Sequence, residues 1–397
     1  MQYWQAILVI SCFIVLYNYA GYAFLSLALN IVQKRRNRDA RTQDAYPTLS
    51  FIVAAYNEEQ FIEKKILNSL SLDYSGGQIE YIFITDGSSD NTPEIVSRHP
   101  AVKLLHQPER KGKSEAVNRA VETARGEVLI FSDANTTLNE DALRLIARHY
   151  RHANTGGVAG EKKVIAVDDG SDEVGGGEGL YWKYESMLKK IDSDFHSVVG
   201  AAGELFSIRR ELYQPIGSNI ILDDFMISLR VAEKGYRIIY EPGAYAMEAP
   251  SASLKDERKR KVRIAAGGFQ SIALLASLLA FWRHFRLSFL YISHRVLRWT
   301  LSPLCMILAL ISATVLAANT QSPLYITVAA VQLLFYGMAA LAALLPAKKR
   351  GKLLKLPYYF TFMNVSVILG FFRYLRGSQS AVWEKAQRAQ PSPAPEP

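Results

Sequence analysis

The chain has 397 residues, a formal net charge of +9, 49% hydrophobic and 21% charged residues, and two cysteines, Cys12 and Cys305. Both cysteines fall in apolar stretches, which excludes a disulfide framework or thiol-rich metal site in the soluble part and fits a reducing compartment. The basic runs at 34–38, 258–263 and 348–355 hug apolar segments, so the charge points to an anionic lipid surface and not to nucleic acid.

Residues 6–32 carry no Lys, Arg, Asp or Glu and are long enough to cross a hydrocarbon core of ~30 Å. The basic run follows at once, so 1–33 reads as a membrane anchor with its N-terminus outside and the chain cytoplasmic from 34 onward. A cleaved signal peptide would instead begin with basic residues and have a shorter apolar core.

From residue 48 to about 245 strand-like runs alternate with helical patterns. Strands are expected at 49–54, 79–85, 102–106 and 128–133, and helices at 58–72, 92–98, 113–124 and 140–150. That alternation predicts an α/β fold: a doubly wound, mostly parallel sheet with helices on both faces. No GxGxxG follows the first strand, and Gly175-Gly176-Gly177-Glu178-Gly179 lacks a preceding apolar run. The glycine stretch reads as a flexible loop, and a dinucleotide-binding oxidoreductase is disfavoured. Trp182, Tyr184 and Glu185 fall on an expected amphipathic helix, as core or as sugar-contacting residues.

Beyond the soluble region, 268–285 is apolar but interrupted and ends in Arg283-His284-Phe285-Arg286, which suits a helix lying in the interface. Residues 301–318 and 324–345 read as spans separated by a turn, and 358–372 as interfacial, re-entrant or marginally spanning. His294, Arg295 and Arg298 near a span start are expected to snorkel, so a channel or carrier is disfavoured. The resulting organisation is an anchor at 1–33, an α/β domain at 34–265, interfacial helices at 266–296, C-terminal membrane helices at 297–376 and a tail at 377–397. The tail is Pro-rich at its end and expected to be disordered.

Polar residues gather where strands stop. Asn57, Glu58 and Glu59 follow the first strand, and Asp86 ends the second, where it could accept hydrogen bonds from a nucleobase edge. Arg110-Lys111-Gly112-Lys113 precedes a helix, a setting that suits phosphate oxygens. Asp133 ends the fourth expected strand, with Asn135 two positions on. In open α/β sheets ligands bind beyond the carboxyl ends of the strands, so the set suits a nucleoside diphosphate compound with a divalent cation. Asp223 and Asp224 stand before a helical pattern, where acidic residues also serve the helix end.

The segments FIVAAYNEE, ITDGSSDNT, KGKSEAVNRA and LIFSDANT, in this order and spacing, resemble the nucleotide-sugar-binding half of the family 2 inverting glycosyltransferases of GT-A fold. The likeness continues through 200–210, similar to the family's acceptor-side loop, and Leu222-Asp223-Asp224-Phe225, similar to its acidic base motif. The flanking apolar segments fit the membrane-integrated branch. The resemblance implies that Ala55, Tyr56, Glu58 and Asp86 hold the nucleoside, with Ser132 also donor-side and Lys111 and Lys113 near the diphosphate. It implies that Asp133, with Asn135, binds Mg2+ or Mn2+, and that Gly203, Glu204, Arg260 and Arg263 lie toward the acceptor. Asp224 would be the general base, with Asp223 as the alternative.

Two departures narrow the expectation. Asp133-Ala134-Asn135 stands where the family usually has Asp-x-Asp, and an amide is a weaker ligand for a hard cation. Arg260-Lys261-Val262-Arg263-Ile264 stands where processive synthases carry Gln-x-x-Arg-Trp. The expected function is therefore non-processive transfer of a sugar, UDP being the expected carrier, to a lipid-linked or exopolysaccharide acceptor. Membrane lipids and polysaccharide export proteins are the expected partners. A processive synthase of the poly-N-acetylglucosamine type is the second reading, and a non-catalytic membrane scaffold the third.

Overall fold

A computed structural model of the protein describes residues 1–34, 46–164, 175–251, 253–346 and 350–379. The expectations for 35–38, 347–349 and the Pro-rich 390–397 lie outside the described residues.

The chain opens with helices α1 (Gln2–Leu16) and α2 (Tyr22–Lys34), joined without a break through a π-helical turn at Tyr17–Gly21. The α/β portion then runs β1 (Leu49–Ala55), α3 (Glu59–Leu70), β2 (Ile79–Asp86), α4 (Thr92–Ser97), β3 (Lys103–Gln107), α5 (Lys113–Thr123) and β4 (Val128–Asp133). These agree with the expected elements to within two residues at each end. A second half follows: β5 (Thr137–Leu138), α6 (Ala142–Ala147), β6 (Thr155–Val164), α7 (Gly175–Phe195), β7 (Leu205–Arg209), α8 (Asp223–Glu233) and β8 (Arg237–Glu248). The helix expected at 140–150 is α6 followed by a 3-10 turn at Arg148–Arg151.

The eight strands form one sheet in the order β3-β2-β1-β4-β7-β6-β8-β5. The first four are parallel, β7 runs antiparallel to both neighbours, and β6 and β8 pair in parallel. The chain builds outward from β1 through β2 to β3, then returns to place β4 on β1's other side. That reversal is a topological switch point, and it opens a crevice at the carboxyl ends of β1 and β4. Register keeps those ends level, with Ala54 opposite Asp133 and Ala55 opposite Thr85.

Leu49, Phe51, Ile52 and Val53 of β1 are all buried, because helices cover both faces of the sheet. One core packs Ile62 and Ile66 of α3 and Ile146 of α6 beneath Phe51 and Val53. The other packs Val117 of α5 and Met226 of α8 against Ile52 and Phe131, and it also includes Tyr22 from the N-terminal helix.

Gly175 to Gly179, expected as a loop, lies in the first turns of α7. Consecutive glycines are poor helix formers, so local propensity spoke for a loop. The basic segment at 258–263 and the apolar stretch after it form one helix, α9 (Leu254–Leu274), capped by the Ser253 side chain on the Asp256 N–H. Short helices α10 (Phe285–Tyr291) and α11 (Leu297–Trp299) lead to α12 (Leu301–Thr320), α13 (Pro323–Leu344) and α14 (Lys352–Leu375). Among the described residues four helical stretches are long and apolar enough to cross a membrane: Gln2–Val32, Leu301–Thr320, Pro323–Leu344 and Leu353–Leu375.

His294, Arg295 and Arg298 turn inward instead of snorkelling. His294 Nδ1 meets Asp192 at 2.5 Å, and Arg295 and Arg298 pair with Glu185 of α7. Two carboxylates on α7, Glu185 and Asp192, supply these side chains with buried partners. The Tyr22 hydroxyl joins the same cluster by donating to Asp192, which ties the N-terminal helix to the α/β portion.

Candidate active site

The crevice is built from the ends of β1, β2 and β4 and the starts of α5 and α8. After β1, Asn57 takes a left-handed backbone (φ 54°). Its N–H donates to Ser88 Oγ, and its side-chain oxygen accepts from the Ser89 N–H at 2.8 Å. This crosslink of the two strand-end loops presents Tyr56 upward, with the Arg110 guanidinium 3.7 Å from its ring centroid. Ala55 and Glu58 are buried beside it.

Asp86 ends β2 and accepts from the backbone N–H groups of Lys111 (3.0 Å) and Gly112 (2.6 Å), with Arg119 Nη2 at 3.4 Å. Its carboxylate therefore holds the loop that carries Arg110, besides facing the crevice. A cleft of ≈ 340 Å³ is lined here by Ala54, Ala55, Tyr56, Asp86, Arg110 and Lys113, among others. Lys111 contributes its N–H; its ammonium lies outward, 3.8 Å from Glu109.

Lys113, at the start of α5, reaches the next part of the cleft. Its Nζ is 2.8 Å from Asp133 Oδ1 and 3.8 Å from Asp223 Oδ2. Burial opposes its charge, but Asp133, Asp223 and Asp224 together hold its pKa above the ordinary lysine value. Asp223 and Asp224 open α8, where Asp224 Oδ1 accepts from the Phe225 N–H at 2.7 Å. Burial first, and then the neighbouring Asp223 charge, push the Asp224 carboxyl up to about 7, against the pull of Lys113. A carboxylate poised there is suited to take a proton at neutral pH.

Gly203 faces all three groups. A Cβ at this position would lie 3.2 Å from Asp224 Oδ2, 3.4 Å from Lys113 Nζ and 3.7 Å from Asp133 Oδ1. The absent side chain leaves the space between base, lysine and strand-end carboxylate open. Glu204, next to it, pairs with Lys162 at 2.5 Å. Burial would raise its pKa, but the lysine charge and hydrogen bond keep it well below the usual carboxylate range.

Other expected residues sit in supporting positions. Ser132 is buried; its hydroxyl accepts from Lys65 Nζ at 2.7 Å and donates to the Glu204 carbonyl at 2.9 Å. Asn135 turns its amide nitrogen to Glu248 Oε1 at 3.3 Å. Arg260 pairs with Glu257 at 3.1 Å. Arg263 donates to the Ile221 carbonyl, two residues before Asp223, at 3.3 Å.

Hard cations take oxygen ligands, and Mg2+ is commonly held by one or two carboxylates plus substrate phosphates. Among the described residues no group of three or more His, Cys, Asp or Glu could hold an ion alone. Asp133 offers one partly exposed carboxylate at the cleft, so the donor set fits a cation shared with a bound diphosphate.

Sequence reasoning missed Lys65. Its ammonium also donates to the Thr136 carbonyl and hydroxyl at 3.1 Å, pinning the turn that carries Asp133. Burial brings its pKa down to about 7. The signal was present in α3, where Ile62, Lys65, Ile66 and Ser69 share the buried face. Lys162 and Glu248 were missed too, because β6 and β8 were not assigned as strands.

The fold is the GT-A fold of nucleotide-sugar transferases. The structure superimposes on "Mannosyltransferase PcManGT from Pyrobaculum calidifontis in complex with GDP-Man and Mn2+" with a TM-score of 0.67 and 23% identity, covering 94% of this chain and 99% of that one. Residues 50–217 match the profile described as Glycosyl transferase family 2. Similar proteins include "Poly-beta-1,6-N-acetyl-D-glucosamine synthase" of Staphylococcus aureus strain COL, 25% identical over 277 residues, 68% of this chain and 66% of that protein. The same-named protein of Staphylococcus epidermidis is 26% identical over 229 residues, 56% of this chain and 55% of that protein. The chain thus spans just under two thirds of the first relative's length.

Proposed function

We propose that the protein transfers a sugar from a nucleotide-sugar, UDP-linked, to a lipid-linked or envelope glycan acceptor at the cytoplasmic face of the inner membrane, inverting the anomeric carbon. The observation that carries this reading is the juxtaposition of Asp133, Lys113 and Asp223–Asp224 around the open space at Gly203. Three carboxylates and one ammonium, from the end of β4 and the starts of α5 and α8, meet there, beside a cleft whose Tyr56 ring and Arg110 suit a nucleobase.

In this reading Ala55, Tyr56, Glu58 and Asp86 hold the nucleoside, and Lys113 leaves Asp133 for the diphosphate oxygens. A divalent cation, Mg2+ or Mn2+, held by Asp133 with Asn135, would neutralise charge on the leaving diphosphate. Asp224 accepts the proton of the acceptor hydroxyl as that oxygen attacks C1 from the face opposite the diphosphate. The C1–oxygen bond to the diphosphate breaks in the same displacement, which inverts C1. Burial, and then Asp223, keep the Asp224 pKa high, and Gly203, Glu204, Arg260 and Arg263 border the acceptor side. The domain boundaries proposed are those at 33, 265, 296 and 376.

The loss of the Gln and Trp positions in Arg260-Lys261-Val262-Arg263-Ile264 supports a non-processive enzyme. The Staphylococcus relatives are named as synthases of a polymer, which favours a second reading, processive synthesis. Purified protein in detergent is supplied with a panel of nucleotide-sugars and scored for nucleoside diphosphate release. Release with one donor, lost in Asp224→Asn, is expected; no release with any donor would remove the enzyme reading in favour of a scaffold. A product ladder growing without dissociation would overturn the non-processive preference.

A further inference from the structure

The loop that leads into α8 decides where Asp223 and Asp224 stand. A helix start leaves its first N–H groups unpaired, and a polar side chain at the cap position commonly fixes the first turn by accepting one of them. Here the cap position is Leu222, an aliphatic side chain that can accept nothing. The turn is held from outside α8 instead.

The outside grip comes from α9. Gln270 engages the loop backbone with both atoms of its amide: Oε1 accepts from the Ile221 N–H at 3.0 Å, and Nε2 donates to the Asn219 carbonyl at 2.8 Å. Arg263 adds its bond to the Ile221 carbonyl at 3.3 Å. Between them Gly267 lets the helix approach closely, since a Cβ there would lie 2.7 Å from Leu222 Cγ and 2.8 Å from Ile221 Cγ2. Positions 263, 267 and 270 fall on one helix face, and that face meets the segment just before Asp223. The far end of the loop is held separately by Asn118 of α5, which accepts from the Ile216 N–H at 3.0 Å and donates to the Ile216 carbonyl at 2.8 Å.

α9 is itself fastened to a membrane helix. A Cβ at Gly370 of α14 would lie 2.4 Å from Ala265 Cβ and 3.0 Å from the Val262 carbonyl oxygen, so the helices touch there backbone to backbone. A continuous line of contacts therefore runs from α14 through α9 to Ile221, Leu222 and the acidic pair. We propose that Gln270 is a positioning residue for the proton acceptor: its amide fixes the backbone at 219–221 so that Asp223 and Asp224 stand at Lys113 and Gly203. This rests on the transferase reading above. Gln270 acts through the loop, and the donor cleft between β1, β2 and the start of α5 is built without it.

The test uses the full chain in detergent, supplied with UDP-N-acetylglucosamine, UDP-glucose or GDP-mannose and with N-acetylglucosamine oligomers or farnesyl phosphate as acceptor. Nucleoside diphosphate release is measured at saturation, UDP and GDP binding by calorimetry, and backbone mobility by hydrogen–deuterium exchange of peptides covering 217–228. Gln270→Leu keeps the bulk and removes both hydrogen bonds. It should lower kcat by at least about tenfold, between the scale of one lost hydrogen bond and the roughly hundredfold cost of misplacing a reacting group by about 1 Å. Donor KM and nucleotide Kd should stay within about twofold, and an unchanged binding stoichiometry shows that the loss is not an unfolded fraction. Gln270→Glu, which still accepts from the Ile221 N–H, should recover part of kcat, and exchange at 217–228 should be faster in Gln270→Leu than in wild type. Wild-type kcat in Gln270→Leu, a kcat that falls only in step with the binding stoichiometry, a loss confined to nucleotide affinity, or unchanged exchange at 217–228 overturns the positioning role. Wild-type protein that binds neither nucleotide and releases nothing from any donor overturns the transferase reading, and with it the catalytic role of the clamp.

Discussion

In the proposed reaction, replacing Asp224 by Asn removes the proton acceptor while keeping the shape of the side chain. The amide keeps an oxygen in place for the Phe225 N–H, which Asp224 Oδ1 accepts at 2.7 Å, so the first turn of α8 retains its bond. The carboxylate is also electrostatically unfavourable where it stands, since burial and Asp223 raise its pKa to about 7. Its loss should leave stability within ~1 kcal/mol of wild type, the net scale of one hydrogen bond. A positioned general base contributes about 10²–10⁴-fold, or ~3–5.5 kcal/mol of barrier. Asp224→Asn should therefore lower kcat for nucleoside diphosphate release by at least about a hundredfold, with donor affinity and melting temperature near wild type. The assay is nucleoside diphosphate release under saturating donor and acceptor, alongside Asp223→Asn made in parallel. If Asp224→Asn keeps more than about a fifth of wild-type kcat, far above that general-base range, the assignment is refuted. If Asp223→Asn is the crippled variant, the base is Asp223.

With the Asp224 carboxyl at about 7, it is protonated below and ionised above that pH, so activity should climb as pH rises from 6 to 8. A flat profile from pH 5.5 to 8 speaks against it. The same shift links to folding: the native state holds this proton more tightly than the unfolded chain, so its stabilising effect is present at low pH and fades as pH rises toward 7. Dialysis against a chelator should abolish turnover, with recovery on adding Mn2+. Asp133→Ala should weaken Mn2+ binding, read by electron paramagnetic resonance in the presence of UDP, by at least ~10-fold; full turnover after chelation contradicts the cation's role. Gly200 has φ 87°, and a Cβ there would lie 2.1 Å from the Phe225 ring. Gly200→Ala should cost roughly 2–4 kcal/mol and lower the melting temperature, through backbone strain and overpacking; an unchanged melting temperature counts against that geometry.

The half of the sheet that carries the donor cleft was legible because its signals are local. Buried parallel strands read as continuous apolar runs, and loops at their ends declare themselves by polar residues. β1, β2, β4 and α5 therefore emerged near their true bounds, with Asp86, Lys113 and Asp133 at their ends. The other half was less visible. β7 is a short antiparallel insert between β4 and β6, and a five-residue strand carries little periodicity. The glycines at 175–179 speak for a loop by local propensity, yet α7 starts there.

The amino-acid order alone determined which residue types stand at strand ends, where apolar segments are long enough for a bilayer, and the family likeness. Each of these is a property of short windows, and short windows survive without a fold. Only the tertiary structure decided that Lys113 spans from Asp133 to Asp223, that Asp86 holds the Arg110 loop, and that Glu185 and Asp192 draw His294, Arg295 and Arg298 inward. Those pairings join residues from about 20 to more than 100 positions apart. Their energies depend on distance and burial, which exist only once the chain has closed on itself.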